Sequence, residues 1–283
     1  MNTPKAQFGV ASGDDVATIV DWAASEGWNP GLGDAPLFAM VDPEGFLVGR
    51  VGGELAASIS LVRYSPDFAF LGFYICRPDM RGKGIGKALW DHAFARNHAT
   101  TIGLDGVVAQ QDNYAKSGFA LAHRNIRYQG VVTAATPEGP SIAIPETPDL
   151  IDAIAAYDAP LFPAPRAAFI RAWASTPGHH ARAYVEDGTV RGFGVIRPCR
   201  TGHKIGPLFA ETSEFAEALF LSLAETAKGE AVVLDPPEPN SAAVALAERY
   251  GLAPVFETAR MYRGPAPSLD LSRIYGITTF ELG

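Results

Sequence analysis

The residues best suited to chemistry lie between Phe70 and Lys87, Phe-Leu-Gly-Phe-Tyr-Ile-Cys-Arg-Pro-Asp-Met-Arg-Gly-Lys-Gly-Ile-Gly-Lys. An apolar run passes through a proline turn into Arg81, Gly82, Lys83, Gly84, Ile85 and Gly86, where helical spacing begins. Glycine has no Cβ, so neighbouring backbone N–H groups can converge on one point. The start of a helix leaves its first N–H groups without partners and carries partial positive charge. Arg81, Lys83 and Lys87 add full charges. Capture of a pyrophosphate is the chemistry this arrangement suits.

The elements that must hold this loop alternate strand and helix. Phe68 to Cys76 is nearly all apolar and reads as a central strand, ended by Pro78. Ile85 to about Asn97 reads as a helix with Ile85, Ala88, Leu89 and Ala93 on one face. Ahead of it lie a helix over 14–26, capped by Ser12 or Asp14, and a hairpin of 45–51 with 54–64 around Gly52-Gly53. A strand from Thr101, a short helix at Tyr114 to Ser117 and a strand from Phe119 to Gln129 follow.

A loop rich in Thr, Pro and Gly then marks a boundary. We expect domains over 1–132 and 146–283, joined by a linker over 133–145. The second half reads as a copy of the first. Gly118-Phe119 with Arg127-Tyr128-Gln129-Gly130 has its counterpart in Gly251-Leu252 with Met261-Tyr262-Arg263-Gly264. Where the copy would carry the glycine loop, it has Ala210-Glu211-Thr212-Ser213-Glu214, which caps a helix and repels phosphate. One anion site is therefore expected, in the first half.

Length and composition fit this plan. The 283 residues are enough for two domains, and 47% hydrophobic with 19% charged residues excludes a disordered chain. A net charge of −8 disfavours nucleic acid and anionic membranes as partners. No apolar run approaches the ~20 residues needed to cross a bilayer. Cys76 and Cys199 are too few for a disulfide framework or a thiolate zinc site, and His179-His180 point apart on a strand, so no metal is expected. The compartment reads as cytoplasmic. A homo-oligomer is compatible with these numbers.

Three readings fit the loop. One is a glycine-rich turn with no ligand. A dinucleotide site is the second, but Gly82-Lys83-Gly84-Ile85-Gly86 lacks the Gly-x-Gly-x-x-Gly spacing. The third is a coenzyme A loop. Here the segment Arg-Gly-Lys-Gly-Ile-Gly resembles motif A of the GNAT acyltransferase superfamily, Arg/Gln-x-x-Gly-x-Gly/Ala. Tyr114-Ala-Lys-Ser-Gly118-Phe119 resembles that family's Tyr-x-x-x-Gly-Phe segment. Trp28-Asn29-Pro30-Gly31, Gln110-Gln111-Asp112-Asn113-Tyr114 and the terminal Thr278-Thr279-Phe280-Glu281-Leu282-Gly283 are similar to a subgroup with a second, degenerate GNAT-like domain.

The resemblance implies an α+β fold of two GNAT-like domains, each a mostly antiparallel sheet flanked by helices. It implies transfer of an acetyl group from acetyl-CoA to a primary amine by direct attack. The loop amides of Arg81, Gly82, Lys83, Gly84, Ile85 and Gly86, with Lys87, would hold the pyrophosphate of coenzyme A. Tyr74, Ile75 and Cys76 would pair with its pantetheine arm, and a backbone N–H there would hold the developing oxyanion. Tyr114 would protonate the leaving thiolate. Trp28, Asn29 and Phe38 would bind the acceptor, a small-molecule or peptide amine. No base stands out: Glu54, Asp67, His92 and His123 are candidates by type alone. The alternative is a non-catalytic module that senses coenzyme A or another ligand.

Overall fold

The computed structural model describes residues 6–133 and 142–283. Most of the expected linker, residues 134–141, lies outside the described residues. The first half opens with β1 (Gln7–Val10) and α1 (Gly13–Ser25). Ser12 caps α1 reciprocally: its hydroxyl accepts from Asp15 N at 3.2 Å, and the Asp15 carboxylate accepts from Ser12 N at 2.8 Å. Val16, Ile19, Val20 and Ala23 form its buried face. Then come α2 (Asp34–Val41), β2 (Phe46–Val51), β3 (Glu54–Arg63), β4 (Phe68–Cys76) and α3 (Ile85–Arg96). β5 (Thr101–Val107), α4 (Gln111–Lys116) and β6 (Ala120–Val131) complete the half.

After β7 (Ile142–Ala143), the second half has α5 (Pro148–Asp158), α6 (Ala167–Ser175), β8 (His180–Glu186), β9 (Thr189–Pro198) and β10 (His203–Ala210). It continues with α7 (Ser213–Ala224), β11 (Ala231–Leu234), α8 (Ser241–Arg249) and β12 (Ala253–Arg263). From α5 to β12, leaving β7 aside, the order repeats that of α1 to β6. A last short strand, β13 (Ile274–Gly276), has no counterpart in the first half.

Among the described residues the strands form one sheet, ordered β1-β2-β3-β4-β5-β12-β6-β11-β10-β9-β8-β7. Only β4–β5 and β10–β11 are parallel pairs. The order is palindromic about β12 and β6, and these two strands are exchanged. β12 pairs with β5 of the first half, Met261 opposite Leu104, and β6 pairs with β11 of the second, Gln129 opposite Val233. Gly118 and Gly251, at φ +89° and +77°, end the preceding helices and turn each chain into its exchanged strand. The sequence repeat thus lies at the centre of the sheet, its two copies paired with each other. A cut between 132 and 146 divides the chain in sequence, while β12 completes the first half's sheet.

The exchange joins the cores. Ile19, Phe38 and Phe73 pack in one cluster with Trp173, Phe193, Phe209 and Phe280. Asn29 reinforces the join: its amide donates to the Thr201 carbonyl at 2.9 Å and its oxygen accepts from Thr201 N at 3.0 Å.

Candidate active site

The cleft is made where β4 leaves β5. Their pairing runs from Phe68 opposite Thr101 to Leu71 opposite Leu104 and then stops. On its other side β4 carries one extra residue against β3, between Gly72 (opposite Ser60) and Ile75 (opposite Ser58). A bulge of this kind bends a strand and raises its twist. Phe73 lies inside it at φ +45°, a left-handed conformation that costs a phenylalanine on the order of 1–3 kcal/mol. Two contacts hold it there. The Ser58 hydroxyl donates to the Phe73 carbonyl at 2.8 Å, and the Phe73 ring packs 5.8 Å from both Phe38 and Phe46. Gly72–Cys76 therefore faces a gap, with no β5 residue paired to this stretch.

The cleft has a volume of about 670 Å³. Leu71–Cys76 form one wall and Leu104–Val107 the other, with the turn around Met80–Lys87 at one end. In the turn, the Arg77 guanidinium grips Asp79 through two bonds of 2.7 and 3.0 Å. Gly82 and Gly84 adopt φ +74° and +79°, and Gly84 is the cap of α3. Any Cβ on Gly86 would meet the Tyr74 hydroxyl at 3.1 Å. The open N–H groups of the first turn of α3 point out of this cap.

Eight of the ten residues expected to hold coenzyme A line the cleft: Tyr74, Ile75, Cys76, Arg81, Gly82, Gly84, Gly86 and Lys87. The Ile85 side chain instead packs with Leu89 and Ala93 in the core, and Lys83 is exposed. The cationic side chains are less free than their number in the sequence implies. Arg81 pairs with Glu26, and its Nε donates to the Cys76 carbonyl at 2.9 Å; Lys87 pairs with Asp91 at 2.5 Å. Backbone amides are left as the main anion-binding groups.

Tyr114 enters from α4 and lines the cleft. Gly106 on β5 makes room for it, because a Cβ there would occupy the position of the Tyr114 ring. The ring stacks on Trp90 at 6.1 Å. Burial, reinforced by Tyr74, pushes the Tyr114 phenol up to about 12. It is therefore a protonated donor throughout the neutral range.

On the opposite side the structure separates the three residues expected to bind an acceptor. Trp28 lines the cleft, its carbonyl held by Arg127 Nη1 at 2.8 Å. Asn29 is committed to Thr201, and Phe38 is fully buried against Phe73 and Trp173. Neither lines the cleft: Asn29 precedes α2 and is held by Thr201, and α2 turns Phe38 inward to cover the bulge. None of the candidate bases Glu54, Asp67, His92 and His123 lines it either. Glu54 pairs with Arg77, and His92 packs on Phe8.

The second half supplies further lining, from residues that the sequence had not assigned to the site: Phe256 and Thr258 from β12, with Phe280 and Glu281 from the terminal segment. The signals available were the resemblance of the terminal segment 278–283 and a charged residue inside its apolar run Phe280-Glu281-Leu282. The equivalent gap in the second half is filled. β10 pairs with β11 only from His203 to Ile205, and beyond it Leu208 and Phe209 pair with β13.

Known proteins share both the sequence and the architecture. Residues 14–119 match the model described as the acetyltransferase (GNAT) family, and residues 154–276 match that described as the acetyltransferase (GNAT) domain. A holothin acyltransferase of Pseudoalteromonas sp. (strain SANK 73390) is 34% identical over 274 residues, 96% of this chain and 93% of that protein. A presumed acetyltransferase from Pyrococcus horikoshii has a similar structure, with a TM-score of 0.82 at 20% identity, covering 100% of this chain and 98% of that one. A tandem GNAT protein from the clavulanic acid biosynthesis pathway superposes with a TM-score of 0.64 at 18% identity, over 93% of this chain and 100% of that one.

Proposed function

This chain belongs to the GNAT acetyltransferase family, with a second GNAT-like domain after the first, and from that premise we propose that it transfers an acetyl group from acetyl-CoA to a primary amine by direct attack. The observation that carries the reading is the gap between β4 and β5, which opens beside a glycine turn at the start of a helix. Its residues fit an acyl-CoA. The left-handed Gly82 and Gly84 and the crowded position of Gly86 make a cradle that side chains would fill.

Backbone amides from Arg81 to Gly86 would hold the phosphates, and the free edge of β4 at Tyr74, Ile75 and Cys76 would pair with the pantetheine arm. When bound, acetyl-CoA supplies the thioester carbonyl. A β4 N–H in the gap stabilises negative charge on that oxygen. The Tyr114 phenol gives its proton to the departing sulfur. Trp28, Phe256 and Phe280 shape an apolar acceptor end, suited to the organic body of a small amine. The second half acts as a wall of this site rather than as a second site.

Thiol release from acetyl-CoA, followed across a panel of amines, tests the reading. Holothin, the compound in the relative's name, belongs in that panel. Release with at least one amine and formation of its amide are the expected results. Tight binding of coenzyme A with no release for any amine would favour a sensing module instead.

A further inference from the structure

The other buried carboxylates among the described residues, Asp15, Asp34, Asp105, Asp158 and Asp235, each pair with an arginine at 2.6–2.8 Å. Glu281 does not. It is 2% exposed, and neither carboxylate oxygen has a hydrogen-bond partner among the described residues. It nevertheless lines the cleft. Burying a carboxylate without a partner is among the costlier things a fold can do, so such a group calls for a ligand or ordered water.

Its position is set by backbone. A Cβ on Gly72 would overlap the Glu281 carbonyl, so the terminal segment crosses β4 at the residue after its last pairing with β5. That is the mouth of the gap, opposite the turn that faces the phosphates. The segment is pinned on both sides of the crossing: Ile277 N donates to the Asp235 carbonyl at 3.0 Å, and the Tyr64 hydroxyl donates to the Leu282 carbonyl at 2.9 Å. The Thr258 hydroxyl, also in the cleft lining, lacks a partner too.

We propose that Glu281 is the acceptor-side carboxylate of this site: it receives the acceptor as an ammonium ion and takes its proton. The substrate class is then a cationic amine with an apolar body. This rests on the acyl-transfer reading and adds its missing base. The proton balance closes. Glu281 removes one proton from the ammonium and later releases it to solvent. The nitrogen lone pair forms the C–N bond as the C–S bond breaks. Tyr114 protonates the sulfur and regains a proton from the nitrogen as the amide forms.

The charges around Glu281 are consistent with this role. Facing it electrostatically are Arg127 on β6, Arg197 on β9 and Lys204 on β10. Arg127 is committed to Asp235 through two bonds of 2.8 Å, and Arg197 holds Asp34 through Nε and Nη2, while its Nη1 is buried without a hydrogen-bond partner. Asp105, on the far wall, is committed to Arg260 and Asn125. Lys204 Nζ is buried without a bonded partner, and burial pushes its pKa down, which weakens it as a rival cation.

The test uses benzylammonium chloride as a probe on the full chain with coenzyme A bound, by calorimetry at pH 7, followed by acetyl transfer to benzylamine across pH. Glu281→Gln keeps the shape and removes the charge, and unchanged coenzyme A affinity certifies its fold. The expected result is about a 100-fold weaker binding of the ammonium, as for loss of a charged hydrogen bond. Turnover should fall at pH 7, with the deficit narrowing as pH rises toward the amine's own pKa. Glu281→Asp should recover part of both. A structural counter-ion of Lys204 would give no such narrowing, and Lys204→Met would then mimic Glu281→Gln; that pair of results overturns the proposal. So does ammonium binding that is absent in the wild type or unchanged in Glu281→Gln. Binding that depends on Glu281 without thiol release for any amine would sink the acyl-transfer reading and leave the carboxylate's ligand assigned.

Discussion

Arg127 and Asp235 join the two halves through a two-pronged buried ion pair, Nε to Oδ1 and Nη2 to Oδ2, each at 2.8 Å. Arg127 lies on β6 of the first half, and Asp235 follows β11 of the second. The pair exists because β6 is exchanged into the second half's side of the sheet. The same guanidinium holds the Trp28 carbonyl and lies 4.5 Å over the Phe280 ring, so one side chain braces two residues that line the cleft.

Asp235→Asn should therefore destabilise the whole molecule. Removing one partner strands a buried charge, at a cost of about 3–5 kcal/mol. With the core and the sheet shared between halves, unfolding in urea should remain one transition shifted to lower denaturant. Two separated transitions would show that the halves fold independently.

Gly84→Val should weaken coenzyme A binding without unfolding the chain. No atom lies within 4 Å of a Cβ built there, so the penalty comes from the left-handed φ of +79°. About 1–2 kcal/mol of backbone strain, or a shift of the cap to relieve it, displaces the N–H groups proposed to hold the phosphates. Calorimetry should show affinity reduced about tenfold or more, with a melting temperature within a few degrees of the wild type.

Tyr114→Phe should lower turnover about 100-fold while coenzyme A affinity stays within about threefold. The phenol is held up to about 12, so its proton is available below that pH and lost only as pH rises through it. A pH–rate profile should show no alkaline fall caused by Tyr114 through pH 10. Tyr74 is also raised to about 12 by burial, so both phenols favour the folded state below pH 10 and withdraw that support between about 10 and 12.

Acid should weaken the fold through His123 and His179. Burial, aided by Arg260 and Arg197 respectively, holds both near 4, below the ordinary value of 6.5. The unfolded chain then binds protons first as pH falls. Stability is complete above about pH 6.5 and declines down to about pH 4. Urea titrations at pH 7 and pH 5 should show this loss, and His123→Asn with His179→Asn should reduce the difference between the two pH values.

The features legible in the sequence are local ones. The capping box at Ser12, the apolar β4, the glycine turn and the Tyr114–Gly118 segment each specify their own geometry through contacts a few residues apart. The glycine-turn end of the cleft is built from these and can be read from residue types and spacing. Even the exchanged strands are visible, as the repeat from Gly118 and Gly251. Their exchange is not, because β6 and β12 have equivalent sequences that suit either neighbour, and register across β5 is decided by long-range packing.

The other end of the cleft depends on tertiary contacts throughout. Phe38 has the sequence character of a pocket residue and is core, since the bulge at Phe73 needs a partner ring. Glu281 is more than 200 positions from Gly72, which it meets only because β13 fills the second half's gap and delivers the chain across β4. Spacing along a sequence can place a carboxylate on a strand or a tail. Only the folded chain could leave this one buried and without a hydrogen-bond partner in a residue that lines the cleft.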